Sequence, residues 1–146
     1  MKWNRKKRIE ELPNLLKEKI LLLDGAMGTM IQAEKLTEED YRGERFKDHK
    51  KSLFGNNDIL SITQPDLISN IHLEFLKSGS SIIETNSFSS TSISQDDYSM
   101  SDLAYELNYQ SAKIARDTCD EYEKQFSKEP KFVAGAIGPT NKTTSL

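Results

Sequence analysis

Residues 20–29 read ILLLDGAMGT, a run of apolar side chains followed by small and polar ones. The same arrangement recurs at residues 81–87, SIIETNS, and at residues 132–141, FVAGAIGPTN. Buried parallel strands read as continuous apolar runs, because both faces of their sheet are covered. Each stretch therefore predicts a short strand with a polar loop at its carboxyl end. The strands are predicted over residues 20–23, 81–84 and 131–137.

Helical patterns separate these strands. Apolar side chains at helical spacing predict helices over residues 7–18, 27–34, 64–78 and 101–127. Thr63 and Asp66 have the spacing of a capping box for the third helix, and Ser99 and Asp102 suit the start of the fourth. Residues 35–59 are charged and rich in turn formers, which predicts an irregular segment. The order β-α-β-α-β predicts a parallel sheet of the α/β class, as in a barrel or a doubly wound sheet.

Composition limits the class of protein. The chain has 146 residues, of which 36% are hydrophobic and 29% charged, and a net charge of −3, as is typical of one globular unit. No stretch approaches the roughly 18 consecutive apolar residues of a membrane span. The basic cluster at residues 2–8 precedes no apolar signal core and contains little aromatic interleaving, so we interpret it as a solvated helix start. We expect a cytoplasmic protein with neither membrane nor nucleic acid as a partner.

Cysteine and histidine form no metal-binding pattern. The only cysteine, Cys119, excludes an internal disulfide and lies on the apolar seam of the fourth predicted helix, so we expect a buried core residue. His49 lies in the charged segment, and His72, beside Ile71, is expected to be a surface or hydrogen-bonded residue. The dinucleotide pattern G-x-G-x-x-G and the P-loop are absent, so nucleotide chemistry is poorly supported.

The polar residues at the predicted strand ends form the candidate site, because ligands of α/β barrels and open α/β sheets bind there. Gly25 and Gly28 allow the backbone to approach a ligand closely, and Asp24 could receive an ammonium group; the alternative is a tight turn in which Asp24 caps a helix. Glu84 ends an apolar strand, where a carboxylate needs a partner, either a ligand or a side chain of a neighbouring strand. Residues 138–141 are weaker evidence, since such a turn is often only a turn.

Five segments together resemble one family. They are LDGAMGTMIQ (23–32), YRGERF (41–46), GNND (55–58), IIETNSF (82–88) and GAIGPTNKT (135–143). In this order they resemble the N-terminal homocysteine-binding module of cobalamin-dependent methionine synthase. The resemblance implies an α/β fold that is the N-terminal portion of a (β/α)8 TIM barrel, with parallel strands and alternating helices. Such a barrel needs about 250 residues, so we expect residues 1–146 to be a partial homocysteine-binding domain, incomplete at its C-terminus.

The resemblance also implies a reaction. Zinc-bound homocysteine accepts a methyl group from methylcobalamin to give methionine, and 5-methyltetrahydrofolate on a neighbouring module of the same polypeptide remethylates the cobalamin. Zinc is needed because the thiolate is the nucleophile, and coordination deprotonates the thiol. In the family, three cysteines on late barrel strands hold the zinc. Cys119 does not match them, so we expect no metal ligand in this chain and no methyltransferase activity from it alone.

The positions that match the family assign the amino-acid-holding part of the site to this chain. The residues implied to line it are Asp24, Gly25, Ala26, Glu84, Thr85 and Asn86, and those at its rim are Gly138, Pro139, Thr140 and Asn141. Two alternatives stay open. One is a cobalamin-independent homocysteine methyltransferase that uses betaine or S-methylmethionine, and the other is a truncated, non-catalytic module. The segments at 41–46 and 55–58 favour the cobalamin-dependent enzyme, because they fit an extra loop of that family.

Overall fold

A small parallel sheet at the centre of a helix-rich α/β fold confirms the predicted class. Strand β1 (Ile82–Glu84) pairs in parallel with strand β2 (Phe132–Ala134), with Ile83 opposite Val133. Leu23 adds a single parallel bridge to β1. The crossover between the paired strands is helical, as a parallel connection requires. Closure of this sheet into a barrel stays a prediction.

The first predicted strand, residues 20–23, is shorter in the structure than the apolar run suggests. Its backbone follows β1: Leu22 O accepts from the Ile82 N–H at 3.1 Å, and the Asp24 N–H donates to Ile82 O at 3.0 Å. Only Leu23 forms a parallel bridge with β1, and no described segment pairs with the outer edge of these residues. Ile20 is accordingly 86% exposed.

The structure, a computed structural model, describes residues 3–142, so Lys2 of the basic cluster and the polar end at 143–146 lie outside it. The helices are α1 (Arg5–Glu18), α2 (Met27–Ala33), α3 (Glu38–Arg42), α4 (Leu60–Thr63), α5 (Pro65–Lys77), α6 (Ser92–Gln95) and α7 (Ala104–Phe126). Short 3₁₀ turns lie at Asn57–Ile59, Asp96–Tyr98 and Ser101–Leu103. Within this part of the chain, none of the helices is both long and apolar enough to cross a membrane.

The core lies between helices α5 and α7 and the sheet. Leu76 of α5, Ile83 of β1 and Ala115 of α7 pack together with Cys119, which is buried as predicted. A second, larger cluster joins α5 and α7 to the chain between α2 and α5 and includes Ile31, Tyr41, Leu53, Ile59, Leu60, Ile68, Ile71, Met100 and Leu107. These two clusters hold α5 and α7 against the sheet and against the segment between α2 and α5.

The interpretation of the N-terminal basic cluster as solvated is wrong for one residue. Arg5, Lys6 and Lys7 are exposed, but Arg8 is only 8% exposed. Its guanidinium donates to Glu123 at 2.6 Å and to Asp120 at 2.7 Å, both on α7. A charge that can reach two carboxylates across a helix interface is buried because it is paired, which composition alone does not reveal.

Two predicted helix starts are also wrong. Thr63 does not cap α5: its hydroxyl donates back to Ile59 O at 3.4 Å, and Gln64 occupies the N-cap position of α5 without a side-chain capping bond. Ser99 adopts a left-handed conformation at the end of a 3₁₀ turn, so it does not start α7. The real capping box belongs to α3, inside the segment predicted to be irregular, where Thr37 and Asp40 bond reciprocally.

His72 contradicts the expectation of a surface or hydrogen-bonded residue. It is 0% exposed on the inner face of α5, and neither ring nitrogen has a hydrogen-bond partner in the described structure. Burial lowers the pKa of His72 to about 4, so the ring is neutral at physiological pH. Its neighbours Ile68, Ile71 and Leu76 share this face, which makes His72 a polar residue in an apolar position.

Candidate functional site

A cavity of about 560 Å³ opens at the carboxyl ends of the strands. We call it the strand-end cavity. Its lining comprises residues 24–28, 55–58 and 84–89 together with Ser94, Asp97, Tyr98, Ala136, Pro139 and Asn141. All three loops that follow the predicted strands thus contribute to one space, because carboxyl ends of parallel strands lie at the same edge of a sheet.

Asp24 is tied to the neighbouring strand. The Glu84 N–H donates to both carboxylate oxygens of Asp24, at 3.1 and 3.0 Å. Burial raises the pKa of Asp24 to about 6; the bond from the Glu84 N–H opposes this rise, and the negative charge of Glu84 adds to it. Asp24 does not cap α2, since Ala26 occupies that position without a side-chain bond. The Glu84 side chain itself is exposed at the cavity.

Thr85 and Ser87 connect the loop after β1 to the chain after β2. Their hydroxyls are 2.6 Å apart and both residues are buried. The Ala136 N–H donates to the Thr85 hydroxyl at 3.0 Å, and the Ser87 hydroxyl donates to Ala136 O at 3.0 Å. These bonds satisfy the backbone where the ladder ends, so the predicted site residue Thr85 shapes the cavity from within the wall.

Asn86 faces a second group of polar residues. Its amide nitrogen donates to Asn57 O at 2.8 Å and to the Ser61 hydroxyl at 3.2 Å. The residue is buried, and the orientation of its side chain is fixed by these two acceptors. Asn86 is therefore held in place by protein groups, whereas Glu84 is free to meet a ligand.

Sequence reasoning missed the segment Gly55–Asp58 as a part of the cavity wall. Asn56 and Asp58 are buried, and Asp58 accepts bonds from Ser89 and Ser90 of the loop after β1. The signal was present, because GNND is a run of small and polar residues next to the apolar residues ILSI. The pattern predicts turn formers and, through the family resemblance, an extra loop, but it does not predict a place in the cavity wall, since the run precedes an apolar stretch instead of following a strand.

The rim predicted at 138–141 divides in the structure. Pro139 and Asn141 line the cavity, whereas Gly138 and Thr140 do not. Gly138 packs against Phe88: its N–H donates to Phe88 O at 2.9 Å, and a Cβ at this position would lie 2.5 Å from that oxygen. Thr140 bonds to the backbone of Lys142. Of the ten predicted site residues, eight line the cavity, the exceptions being these two.

The described residues do not fit a zinc site. In residues 3–142 no three His, Cys, Asp or Glu side chains are placed to hold a metal. Cys119 lies in the core of α7, and burial raises the pKa of its thiol to about 12, so it does not supply a thiolate.

The charge of the cavity indicates the kind of ligand. Its described lining contains the carboxylates Asp24, Asp58, Glu84 and Asp97 and no Lys, Arg or His. Such a wall attracts a cationic group. Together with the exposed backbone around Gly25 and Gly28, these features define an α/β domain whose strand-end site suits a small molecule with an ammonium group.

Comparison with known proteins places the chain in a family. Residues 21–146 match the sequence profile of homocysteine S-methyltransferase, and the chain belongs to this family. The fold is similar to the homocysteine methyltransferase MmuM from Escherichia coli. The oxidized form gives a TM-score of 0.69 at 25% identity, covering 88% of this chain and 40% of that one. The metallated form gives 0.68 at 24% identity, covering 88% and 41%. The chain thus spans about two fifths of the length of these structures.

Proposed function

We propose that this chain forms the amino-acid-holding part of the homocysteine site in a homocysteine S-methyltransferase domain. The observation that carries the proposal is the contact of Asp24 with the Glu84 backbone on the wall of a cavity whose described lining includes no basic side chain. Homocysteine brings an ammonium group, which two adjacent carboxylates bind through charge-assisted hydrogen bonds. Membership of the family supports homocysteine as the substrate.

Each predicted residue then has a role. The ammonium group lies between Asp24 and Glu84, and the backbone of Gly25 and Ala26 binds the substrate carboxylate. Thr85 and Asn86, both fixed by hydrogen bonds, give the wall its shape. Pro139 and Asn141 form the rim, Gly138 holds Phe88 through its N–H, and Thr140 lies outside the wall.

We further propose methylcobalamin as the methyl donor, remethylated by 5-methyltetrahydrofolate on another module of the same polypeptide. The resemblance of residues 41–46 and 55–58 to the cobalamin-dependent enzyme supports this donor, and the second of these segments lines the cavity. The zinc ligands then lie outside residues 3–142, in the rest of the domain of which residues 1–146 are a part, and cobalamin and folate are held on other modules of the polypeptide.

The genomic sequence downstream of Leu146 tests the donor. A cobalamin-binding Asp-x-His-x-x-Gly motif in the same reading frame is the expected result. A reading frame that ends after a single barrel favours the alternative, a donor such as betaine or S-methylmethionine. A reading frame that ends at Leu146 favours the third interpretation, a non-catalytic module.

Titration of the ¹⁵N-labelled chain with homocysteine tests the substrate. We expect amide shifts at residues 24–28 and 84–87, the two strand ends. The matched ligand 4-mercaptobutyrate has the thiol and carboxylate but no ammonium group, so it is expected to bind more weakly. Equal affinity for both compounds, or shifts confined to other parts of the chain, would contradict the proposed site.

Glu84→Gln tests the carboxylate directly. Because the variant keeps the size of the side chain but removes its charge, we expect homocysteine binding to weaken by about 1.5–3 kcal/mol, the range for a hydrogen bond to a charged group. The affinity is measured by the same titration. Glu39→Gln on α3 is the control, since Glu39 is exposed and lies outside the cavity wall. An unchanged dissociation constant in Glu84→Gln would leave Glu84 without a binding role.

A further inference from the structure

The turn formed by residues 56–58 lines the strand-end cavity and is connected to the loop after β1 (residues 85–90) by three sets of hydrogen bonds, one of which runs through Gln95. The side-chain amides of Asn56 and Gln95 bond reciprocally, at 2.9 and 3.2 Å. Gln95 also donates to Ser89 O at 3.0 Å. The carbonyl of Asn57 accepts from Asn86 at 2.8 Å. The third contact is made by Asp58.

Asp58 is a carboxylate in an unusual environment. It is 4% exposed and lines the strand-end cavity. Its Oδ2 accepts from the Ser89 N–H and from the Ser90 hydroxyl, both at 2.7 Å. None of the ion pairs formed by the described residues includes Asp58. Burying an ionised group without a cation is costly, so these two donors must compensate for much of its lost hydration.

The geometry of these bonds explains what Asp58 does for the site. Ser89 and Ser90 follow Thr85, Asn86 and Ser87 after a single intervening residue, so fixing them anchors the far end of the loop that begins at β1. The near end is anchored by the Thr85 N–H, which donates to Ala134 O at 2.9 Å. A loop anchored at both ends keeps a shape that a ligand does not have to induce.

We propose that Asp58 is a positioning residue for the substrate site: by binding Ser89 and Ser90 it holds the loop after β1 in the conformation that receives homocysteine. This inference rests on the proposed function for its ligand. Burial also raises the pKa of Asp58, with the bonds from Ser90 and Ser89 opposing the rise, as expected for a carboxylate enclosed in the wall.

Three variants of the 146-residue chain test the role. Asp58→Ala removes both hydrogen bonds, Asp58→Asn retains an acceptor without the charge, and Ser90→Ala removes one donor only. The readouts are the homocysteine dissociation constant by NMR titration and the hydrogen-exchange rate of the Ser89 amide without ligand. Asp117→Asn is the control, because Asp117 is exposed on α7, away from the cavity.

We expect Asp58→Ala to weaken homocysteine binding by about tenfold to hundredfold, the equivalent of a lost hydrogen bond to a charged group. The Ser89 amide should exchange correspondingly faster, while the amides of Ile83 and Leu107 in the core keep their rates. Asp58→Asn should restore both readouts to near the wild-type values, and Ser90→Ala should give an intermediate loss that is measurable even if Asp58→Ala does not fold.

Two results would overturn the inference. The first is wild-type affinity for homocysteine in the folded Asp58→Ala variant, or in Ser90→Ala if Asp58→Ala does not fold. The second is that Asp58→Asn binds homocysteine as weakly as Asp58→Ala. The second would mean that the charge, not the anchoring of the loop, matters. If the wild-type chain itself does not bind homocysteine, the proposed function fails. Exchange of Ser89 then decides separately whether Asp58 holds the loop.

Discussion

At the scale of single residues, Gly138 shows how one missing side chain brings two loops together. A Cβ atom on residue 138 would lie only 2.5 Å from the carbonyl oxygen of Phe88 and 2.7 Å from two carbon atoms of the Phe88 ring. The N–H of Gly138 bonds to that carbonyl at 2.9 Å. Glycine is therefore required here by close approach and not by an unusual backbone angle.

We predict that Gly138→Ala destabilises the chain by about 1–3 kcal/mol, the usual cost of forcing an atom into a packed region. Urea unfolding measures the change. Gly135→Ala is a matched control three residues earlier, because a Cβ there meets no atom within 4 Å. A comparable loss of stability in both variants would show that the backbone, not the contact with Phe88, requires glycine.

His72 predicts a pH dependence of stability. Burial lowers its pKa to about 4 in the folded chain, compared with the ordinary value of 6.5 for histidine. Between these values the unfolded chain binds more protons, so stability is fully present above pH 6.5 and declines as the pH falls towards 4. Protonation of His72 in the unfolded chain is expected to lower the free energy of unfolding by about 2 kcal/mol at pH 5. The raised pKa of Asp24 acts in the opposite direction.

Comparison of variants isolates the effect of His72. His72→Leu should be more stable than the wild type at pH 7.5, because it removes a buried group without a partner, and its advantage should grow at pH 5. Urea unfolding at the two pH values measures this difference. His49→Gln is the control, since the His49 ring bonds to Tyr98 O at 2.8 Å. If the stability advantage of His72→Leu does not change with pH, His72 is not the source of the pH dependence.

At the scale of secondary structure, the ion pairs of Arg8 fasten helix α1 to helix α7. Arg8 contacts Asp120 and Glu123, and Arg116 contacts the same two carboxylates from within α7. The Glu123 side chain is 8% exposed, so its charge depends on these donors and on the Lys131 N–H. Ile9 and Leu16 of α1 are exposed and Leu15 is buried, so the helix is attached by the ion pairs of Arg8 together with Leu15.

We predict that Arg8→Met destabilises the chain by about 3 kcal/mol, because removal of Arg8 leaves the buried carboxylate of Glu123 undercompensated. Methionine keeps much of the packing of the arginine stem. Urea unfolding gives the stability, and the exchange rates of α1 amides show whether the helix detaches. Lys7→Met is the control, an exposed residue one position earlier in the same helix. Equal stabilities of the two variants would mean that the ion pairs contribute nothing.

The same elements show what the sequence could reveal. Periodicity predicted α5 and α7 within a few residues, because their apolar faces are long enough to define a helical period. The capping box predicted at Thr63 is wrong because a Thr-x-x-Asp spacing occurs at both Thr37 and Thr63, and only the tertiary fold decides which of them caps a helix. Arg8 and Asp58 were missed for a related reason: their partners lie far along the chain, so no local pattern marks their burial.

At the scale of the whole molecule, the sheet presents unpaired edges. β2 and the segment at Leu23 each pair with β1 on one side only within the described chain. The apolar side chains near these edges are exposed: Ile20 at 86%, Leu22 at 55% and Ile137 at 88%. Exposed edges of this kind pair with other chains unless something covers them.

We predict that the 146-residue chain self-associates as its concentration rises, since parallel edges and exposed apolar side chains favour contact between copies. Sedimentation velocity from low to high micromolar protein measures the change in mass. Ile137→Lys should shift association to higher concentration, because a charge beside the edge of β2 opposes pairing. Tyr105→Lys is the control: Tyr105 is 82% exposed but lies on α7, away from the edges. A wild-type chain that stays monomeric throughout, or equal effects of the two lysines, would show that the sheet edges do not drive association.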